Sequence, residues 1–219
     1  MITLQDVKNN PTVDSYIRNG NRFLGVMGFT EHSYRHVNLV SSIARNILER
    51  LGHSGRDAEL AAIAGYLHDI GNVVSRSHHG ISGALIALSA LQEMGMPPDE
   101  IAKVISAIAN HEEEYGQPIN VVSAALILAD KSDVHRSRVR NPDFATFDIH
   151  DRVNYAVEHS FLWVHEDRRA ITLELTIDIE ICPVMEYFEI FLSRMSLCRR
   201  AANFLNSNFE LVINGAKLL

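Results

Sequence analysis

Apolar residues recur at helical spacing through the first two thirds of the chain and at alternate positions after about residue 150. Over residues 31–51, Val40, Ile43, Ile47 and Leu51 fall three or four apart, the mark of one buried helix face. Gly52 follows as a stop. Ser54-Gly55-Arg56-Asp57 reads as a capping box opening the next helix. Its apolar body is Leu60, Ala61, Ile63, Ala64 and Leu67, and so many alanines predict close helix contact. Gly71 suits the left-handed position after that helix. A further helix is expected over residues 79–94, where Gly83 and Ala84 permit close approach. Pro97-Pro98-Asp99-Glu100 starts another, because proline fits the first turn and acids suit the positive end of the dipole. Its stripe is Ile101, Val104, Ile105 and Ile108. The last helix of the series is predicted over residues 119–136, with Val122, Ala125, Leu126 and Ala129 inward. Ahead of them all, residues 11–26 form a helix weakened by Gly20.

The texture then changes. Val153, Tyr155, Val157, Phe161 and Trp163 alternate along residues 153–164 and predict a strand with those side chains on one face. Ile171, Leu173, Leu175 and Ile177 alternate with polar residues, so the two strands form a hairpin across residues 165–169. Residues 183–204 predict an amphipathic helix presenting Met185, Phe188, Phe191, Leu192, Met195 and Cys198. Residues 209–213 form another strand, turned back at Asn214-Gly215. The expected fold is mainly α: a helical bundle over residues 1–145, followed by a small α+β unit over 146–219. The Met- and Phe-rich helix either packs on the hairpin or makes a homodimer face.

Composition narrows the partners. A net charge of −7 opposes a dedicated nucleic-acid binder, which needs a basic surface. No apolar segment approaches the roughly 20 residues that span a bilayer, and no secretory signal is visible. Cys182 and Cys198 are not in a paired metal or redox spacing and read as reduced thiols. Together these features predict a cytoplasmic protein without nucleic-acid or membrane partners.

Candidate chemistry sits where the apolar stripes end. His36 extends the stripe of Val40 by one turn. His68 follows Ala64 by one turn and is joined by Asp69. His79 precedes Gly83, His111 continues the stripe of Ile108, and Asp130 continues that of Leu126. One histidine on an apolar face is most often bonded to a carbonyl. Five successive helices each carrying such a residue are different, since burying them unpartnered costs roughly 1–3 kcal/mol apiece. A shared cation removes that cost. His32, one turn before His36, lacks the His-Glu-x-x-His pattern and reads as a capping or surface residue.

The ordered set His36, His68-Asp69 and Asp130 resembles the signature of the HD-domain metal-dependent phosphohydrolases. His79, in His79-Gly80-Ile81-Ser82-Gly83-Ala84, and His111, in Ala109-Asn110-His111, match the two extra histidines of the binuclear members. His78 is adjacent; His79 is chosen because the family places a Gly-Ala pair four and five residues later. The resemblance covers about residues 30–140. It implies that His36, His68, Asp69 and Asp130 hold one divalent ion, with Asp69 bridging to a second held by His79 and His111. A nitrogen and oxygen ligand set suits iron, manganese, cobalt, nickel or zinc. It also implies attack of a metal-activated hydroxide on a phosphoester or phosphoanhydride of a nucleotide or other small phosphorylated substrate. The catalytic residues expected are Asp69, His68 and Lys131. Lys131, Arg136, Arg138 and Arg140 form the densest basic run. Lys131, Arg136 and Arg138 are the expected phosphate clamp, against the alternative of a solvated helix end. Asp133 is placed with the substrate-binding set or behind the metal. Two other functions fit the same ligands: a catalytically silent nucleotide sensor and an HD-type di-iron oxygenase.

Overall fold

The computed structural model describes residues 1–219. Local signals account for most helix starts. Helix α1 (Leu4–Lys8), which the periodicity did not reveal, begins with a capping box between Thr3 and Asp6. Asn10 caps α2 (Pro11–Val26), Ser33 caps α3 (Tyr34–Arg50) and Ser54 caps α4 (Gly55–Leu67). Helices α5 (His79–Glu93), α6 (Pro98–Ala109) and α7 (Val121–Ser132) complete the bundle.

Two helices form its centre. From Ala58 onward nearly every residue of α4 is buried, and α7 is buried from Val122 to Ser132. Helices apolar on all sides belong inside a bundle. Small residues let them approach their neighbours: a Cβ at Gly65 would lie 2.8 Å from Ser41 Cα, and the Ser41 hydroxyl donates to Ala62 O at 2.7 Å. Both central helices end at the same place, which brings His68-Asp69 and Asp130 together.

After α8 (Ile149–Ala156), the chain forms a four-stranded sheet in the order β1 (Val157–His165), β2 (Ala170–Ile177), β3 (Asn208–Ile213), β4 (Ala216–Lys217). β1 and β2 are an antiparallel hairpin. β2 and β3 are parallel, linked by α9 (Val184–Phe204), and β4 returns antiparallel on β3. The fold is therefore mainly helical with a small C-terminal sheet. Helix α9 packs chiefly on α7 and on β3 rather than on the hairpin. No helix is long and apolar enough to cross a membrane.

Local expectations are corrected or sharpened at five places. Gly71 is not left-handed; it lies in a 3₁₀ turn over Ile70–Val73, and the left-handed glycines that close helices are Gly28, Gly52 and Gly95. Glycine is needed at 71 because a Cβ there would overlap the carbonyl oxygen of His79. The helix predicted to reach residue 136 ends at Ser132, where the Asp133 carboxylate is drawn to His36 and Arg35. Residues 153–156 are helical because Asp148 caps α8 by accepting from Asp151 N at 2.8 Å, a start signal hidden under the alternation. Finally, Phe161 and Trp163 are 44% and 47% exposed, so the buried side of β1 is carried by Val157 and Val164 instead. In α9, Met185 and Leu192 are likewise exposed, while Tyr187, Phe191, Met195 and Cys198 are buried.

Candidate metal centre

Six ligand-type side chains from five helices meet in the interior, all buried. His36 sits in the first turn of α3. His68 closes α4, with Asp69 next. His79 opens α5, His111 lies just past α6, and Asp130 stands in the last turn of α7.

The atoms fall into two groups that share Asp69. Around its Oδ2 are His36 Nε2 at 3.4 Å and His68 Nε2 at 3.2 Å. Asp130 Oδ1 closes this group at 3.4 Å from His36 Nε2 and 3.5 Å from His68 Nε2. Around Asp69 Oδ1 is His79 Nε2 at 3.3 Å, and His111 Nε2 lies 3.1 Å from His79 Nε2. Ligands about 2.1 Å from a common ion stand about 3.0–3.4 Å from one another.

The hydrogen-bond chemistry fits cations at both places. His68 Nδ1 donates to Gly65 O at 2.9 Å, His79 Nδ1 to Arg76 O at 3.0 Å and His111 Nδ1 to Ile108 O at 2.6 Å. A carbonyl cannot donate, so each Nδ1 carries the hydrogen and each neutral ring presents a bare lone pair at Nε2. His36 Nδ1 donates in the same way to Asp133 Oδ2 at 2.7 Å. Two such lone pairs face each other at 3.2 Å between His36 and His68, and two at 3.1 Å between His79 and His111. Asp69 Oδ2 is buried with no hydrogen-bond partner. Bare lone pairs aimed at one another, beside an unpartnered carboxylate oxygen, need a positive charge between them.

The electrostatics agree. Burial disfavours the charged form of His68, yet Asp69 and Asp130 overcome it and push its pKa up to about 10. Burial alone would raise the Asp69 carboxyl; His68, His32 and His36 hold it well below the usual carboxylate range. Without a cation, a proton on His68 is what the carboxylates retain. His111, which has fewer acids facing it, is lowered by burial and by His79 and His68.

The centre forms part of the wall of a cleft of about 450 Å³. Arg76, Lys131, Arg138 and Arg194 also line it. The Lys131 ammonium bonds Asp130 Oδ2 and lies 3.8 Å from Glu113 Oε1, which also accepts from Arg194 Nε at 2.8 Å. Arg138 is occupied with backbone carbonyls, those of Asp133 at 2.9 Å and Glu31 at 3.1–3.2 Å. Asp133 stands behind His36 and accepts from Nη1 and Nη2 of Arg35 at 3.3 and 2.9 Å. Arg136 points elsewhere, donating to Glu158 Oε1 at 3.0 Å, and Arg140 bonds Asn21.

Two residues depart from the sequence reading: His32, read as a capping or surface residue, is buried at the centre, and Arg194 was not singled out at all. His32 is buried, with Nδ1 bonded to Thr30 O at 2.7 Å and Nε2 facing Asp69 Oδ2 at 4.0 Å. Arg194 interrupts the buried face of α9 between Phe191 and Met195. The signal that singled out the histidines, a polar side chain within an apolar stripe, was present there too.

Comparison with known proteins is consistent with this geometry. The HD domain family matches residues 31–135. An uncharacterized protein of Methanocaldococcus jannaschii is 24% identical over 78% of this chain and 74% of its own length. Two proteins named ribonuclease Y also match. That of Opitutus terrae is 31% identical over 58% of this chain, and that of Aliarcobacter butzleri 40% over 42%. The matched stretches span only 22% and 17% of those two proteins. A crystal structure described as a predicted HD superfamily hydrolase, from an uncultured Thermotogales bacterium, aligns with a TM-score of 0.45 at 24% identity. That alignment covers 57% of this chain and 67% of that one.

Proposed function

Residues 31–135 belong to the HD-domain family, and from that premise we propose that the protein is a metal-dependent phosphohydrolase acting on a small phosphorylated compound, with nucleotides the leading class. The observation that carries the reading is two pairs of facing Nε2 lone pairs on either side of Asp69, whose Oδ2 has no hydrogen-bond partner, in the wall of a cleft where Arg76, Lys131, Arg138 and Arg194 stand among acidic side chains. Two divalent ions held there would supply the charge that polarises a phosphoryl group and lowers the pKa of an attacking water.

The chain's own residues supply the rest. Asp133 and the carbonyls of Gly65, Arg76 and Ile108 fix the four imidazoles with Nε2 inward. Asn72 Nδ2 donates to Asp69 Oδ1 at 2.9 Å and sets the plane of that carboxylate. Lys131 and Arg194 share the Glu113 carboxylate, and phosphate oxygens replace it as their partner. Phe29 and Phe191 offer apolar wall to the remainder of the substrate. Arg138, with its N–H groups engaged by carbonyls, braces the loop after α7 and contributes charge at a distance.

A second reading, cleavage of RNA, is suggested by the two relatives named ribonuclease Y. The acidic lining, with Glu112, Glu114, Asp148 and Asp151, opposes a long polyanion. The test begins with metal analysis of protein purified without chelator. Generic phosphomonoesters and phosphodiesters, a nucleotide panel and an RNA oligonucleotide are then assayed with manganese or cobalt. Turnover of a small phosphate ester, abolished by Asp69→Ala, is expected. Cleavage of the oligonucleotide alone selects the second reading. Nucleotide binding without turnover selects a silent sensor, and oxygen consumption by ferrous protein selects an oxygenase.

A further inference from the structure

The larger of the two main cavities, about 620 Å³, is not the metal cleft. It opens between one face of α3, the segment after α7, and β1. Its volume lies within the usual range of small-ligand sites, about 300–1,000 Å³. Consecutive residues from Ser160 to Val164 all line it. Side chains alternate across a strand, so a cavity touching each in turn runs along the strand's edge rather than over one face. β1 is the edge strand, paired only with β2, and residues 160–164 make no backbone bond on the other side. Free donors and acceptors along such an edge recruit something to pair with them.

The remaining wall has a definite chemistry. Phe161 and Trp163, among the most exposed aromatic side chains of the sheet, stand at the cavity with ring centroids 4.5 Å apart, and Leu39 and Ile43 face them from α3. At one end Arg50 has a single guanidinium contact, Glu166 Oε1 at 3.4 Å. At the other, Arg35 is held by Glu31 and Asp133. Asn46 and Ser42 make no side-chain hydrogen bond within the protein. A planar heterocycle carries donors and acceptors on its rim for a strand edge and a π-face for aromatic rings. An anionic group on the same ligand answers the arginines.

We propose that the cavity between α3 and β1 is a second, non-catalytic binding site for a nucleoside monophosphate or an anion of that size and chemistry. The base lies against Phe161 and Trp163 along the edge of β1, and the phosphate pairs with Arg50. The site is linked to the metal centre by one short chain of contacts. Arg35 and Asp133 both line the cavity, and Asp133 Oδ2 is the acceptor that orients His36.

Trp163 is the sole tryptophan of the chain, so intrinsic fluorescence reads this cavity directly. Wild-type protein and the Asp69→Ala variant are titrated with adenosine monophosphate, with equilibrium dialysis in parallel. Saturable binding with a change in Trp163 emission, equal in both proteins, is expected. Arg50→Ala, at an exposed position, weakens binding about ten-fold, as does replacing the probe by adenosine, each removing one charge-assisted contact. No binding by either method overturns the proposal. So does binding that vanishes in Asp69→Ala but survives Arg50→Ala, which places the probe in the metal cleft. Emission that depends on protein concentration and not on probe assigns the β1 edge to a second copy of the chain and also overturns it. None of these readouts measures turnover, so failure of the phosphohydrolase reading leaves them intact.

Discussion

The metal centre and the basic run that follows it behave in opposite ways. The six side chains of the centre are spread from His36 to Asp130, yet their nitrogens and oxygens stand 3.1–3.5 Å apart. Lys131, Arg136, Arg138 and Arg140 lie within ten positions and disperse. Lys131 enters the cleft, Arg136 reaches Glu158, Arg138 holds the carbonyls of Glu31 and Asp133, and Arg140 bonds Asn21. Proximity along the chain predicted little here, while phase on an apolar helix face predicted a great deal. A helix carries its phase rigidly to its end; beyond Ser132 the chain leaves α7 and that phase is lost.

The sharpest way to break this contrast is to disturb the convergence without touching a ligand. Gly71→Ala forces a methyl group against the first turn of α5, which carries His79. Backbone must move, so a loss of about 3 kcal/mol in urea unfolding is expected, with a lower metal content if the proposed site at His79 and His111 is filled in the wild type. Full stability and unchanged metal content would show that the approach of α5 to the 3₁₀ turn is slack.

The next test sets a distant arginine against one in the basic run. Arg194→Ala removes a cation from the cleft and is expected to raise KM for a phosphate ester about ten-fold, with a smaller change in kcat. Arg136→Ala, whose partner Glu158 lies outside the cleft, changes KM by less than about two-fold. Equal effects would restore the basic run as the substrate clamp.

The smallest effect belongs to the sheet. Arg168, Lys217 and Thr172 hold the Glu210 carboxyl at about 2, below its ordinary value of 4.5. Because the folded pKa is the lower one, this contribution is complete above pH 4.5 and is lost as pH falls through about 2. Its contacts are largely solvated, so Glu210→Gln is expected to cost less than about 1 kcal/mol at neutral pH, and nothing in strong acid. Urea unfolding at both pH values measures the difference. A larger neutral-pH loss would mean that the sheet, like the metal centre, depends on a buried charge.

Much of the architecture was legible because its causes are local. The caps at Ser54 and Pro97, the stripes on α3, α6 and α7, and the alternation of β2 need only the residues within a turn or two. The start of α8 was misread although Asp148 and Asp151 mark it, since short alternation imitates a strand. The alternation put Phe161 and Trp163 on one face of β1 without saying whether that face is covered, because aromatic residues on one strand do not announce which face another element will cover.

By itself the sequence determined the helical series, the hairpin and the inward phase of His36, His68, His79, His111 and Asp130, since each follows from the 3.6-residue turn or the two-residue pleat acting over a few neighbours. Only the tertiary structure decided that α4 and α7 end side by side and that Asp69 divides its two oxygens between two clusters. It alone brought Arg194 and His32 to the cleft and turned Arg136 away. Those outcomes depend on how whole helices pack against one another, and the distances that settle them are set by contacts between residues remote in the chain.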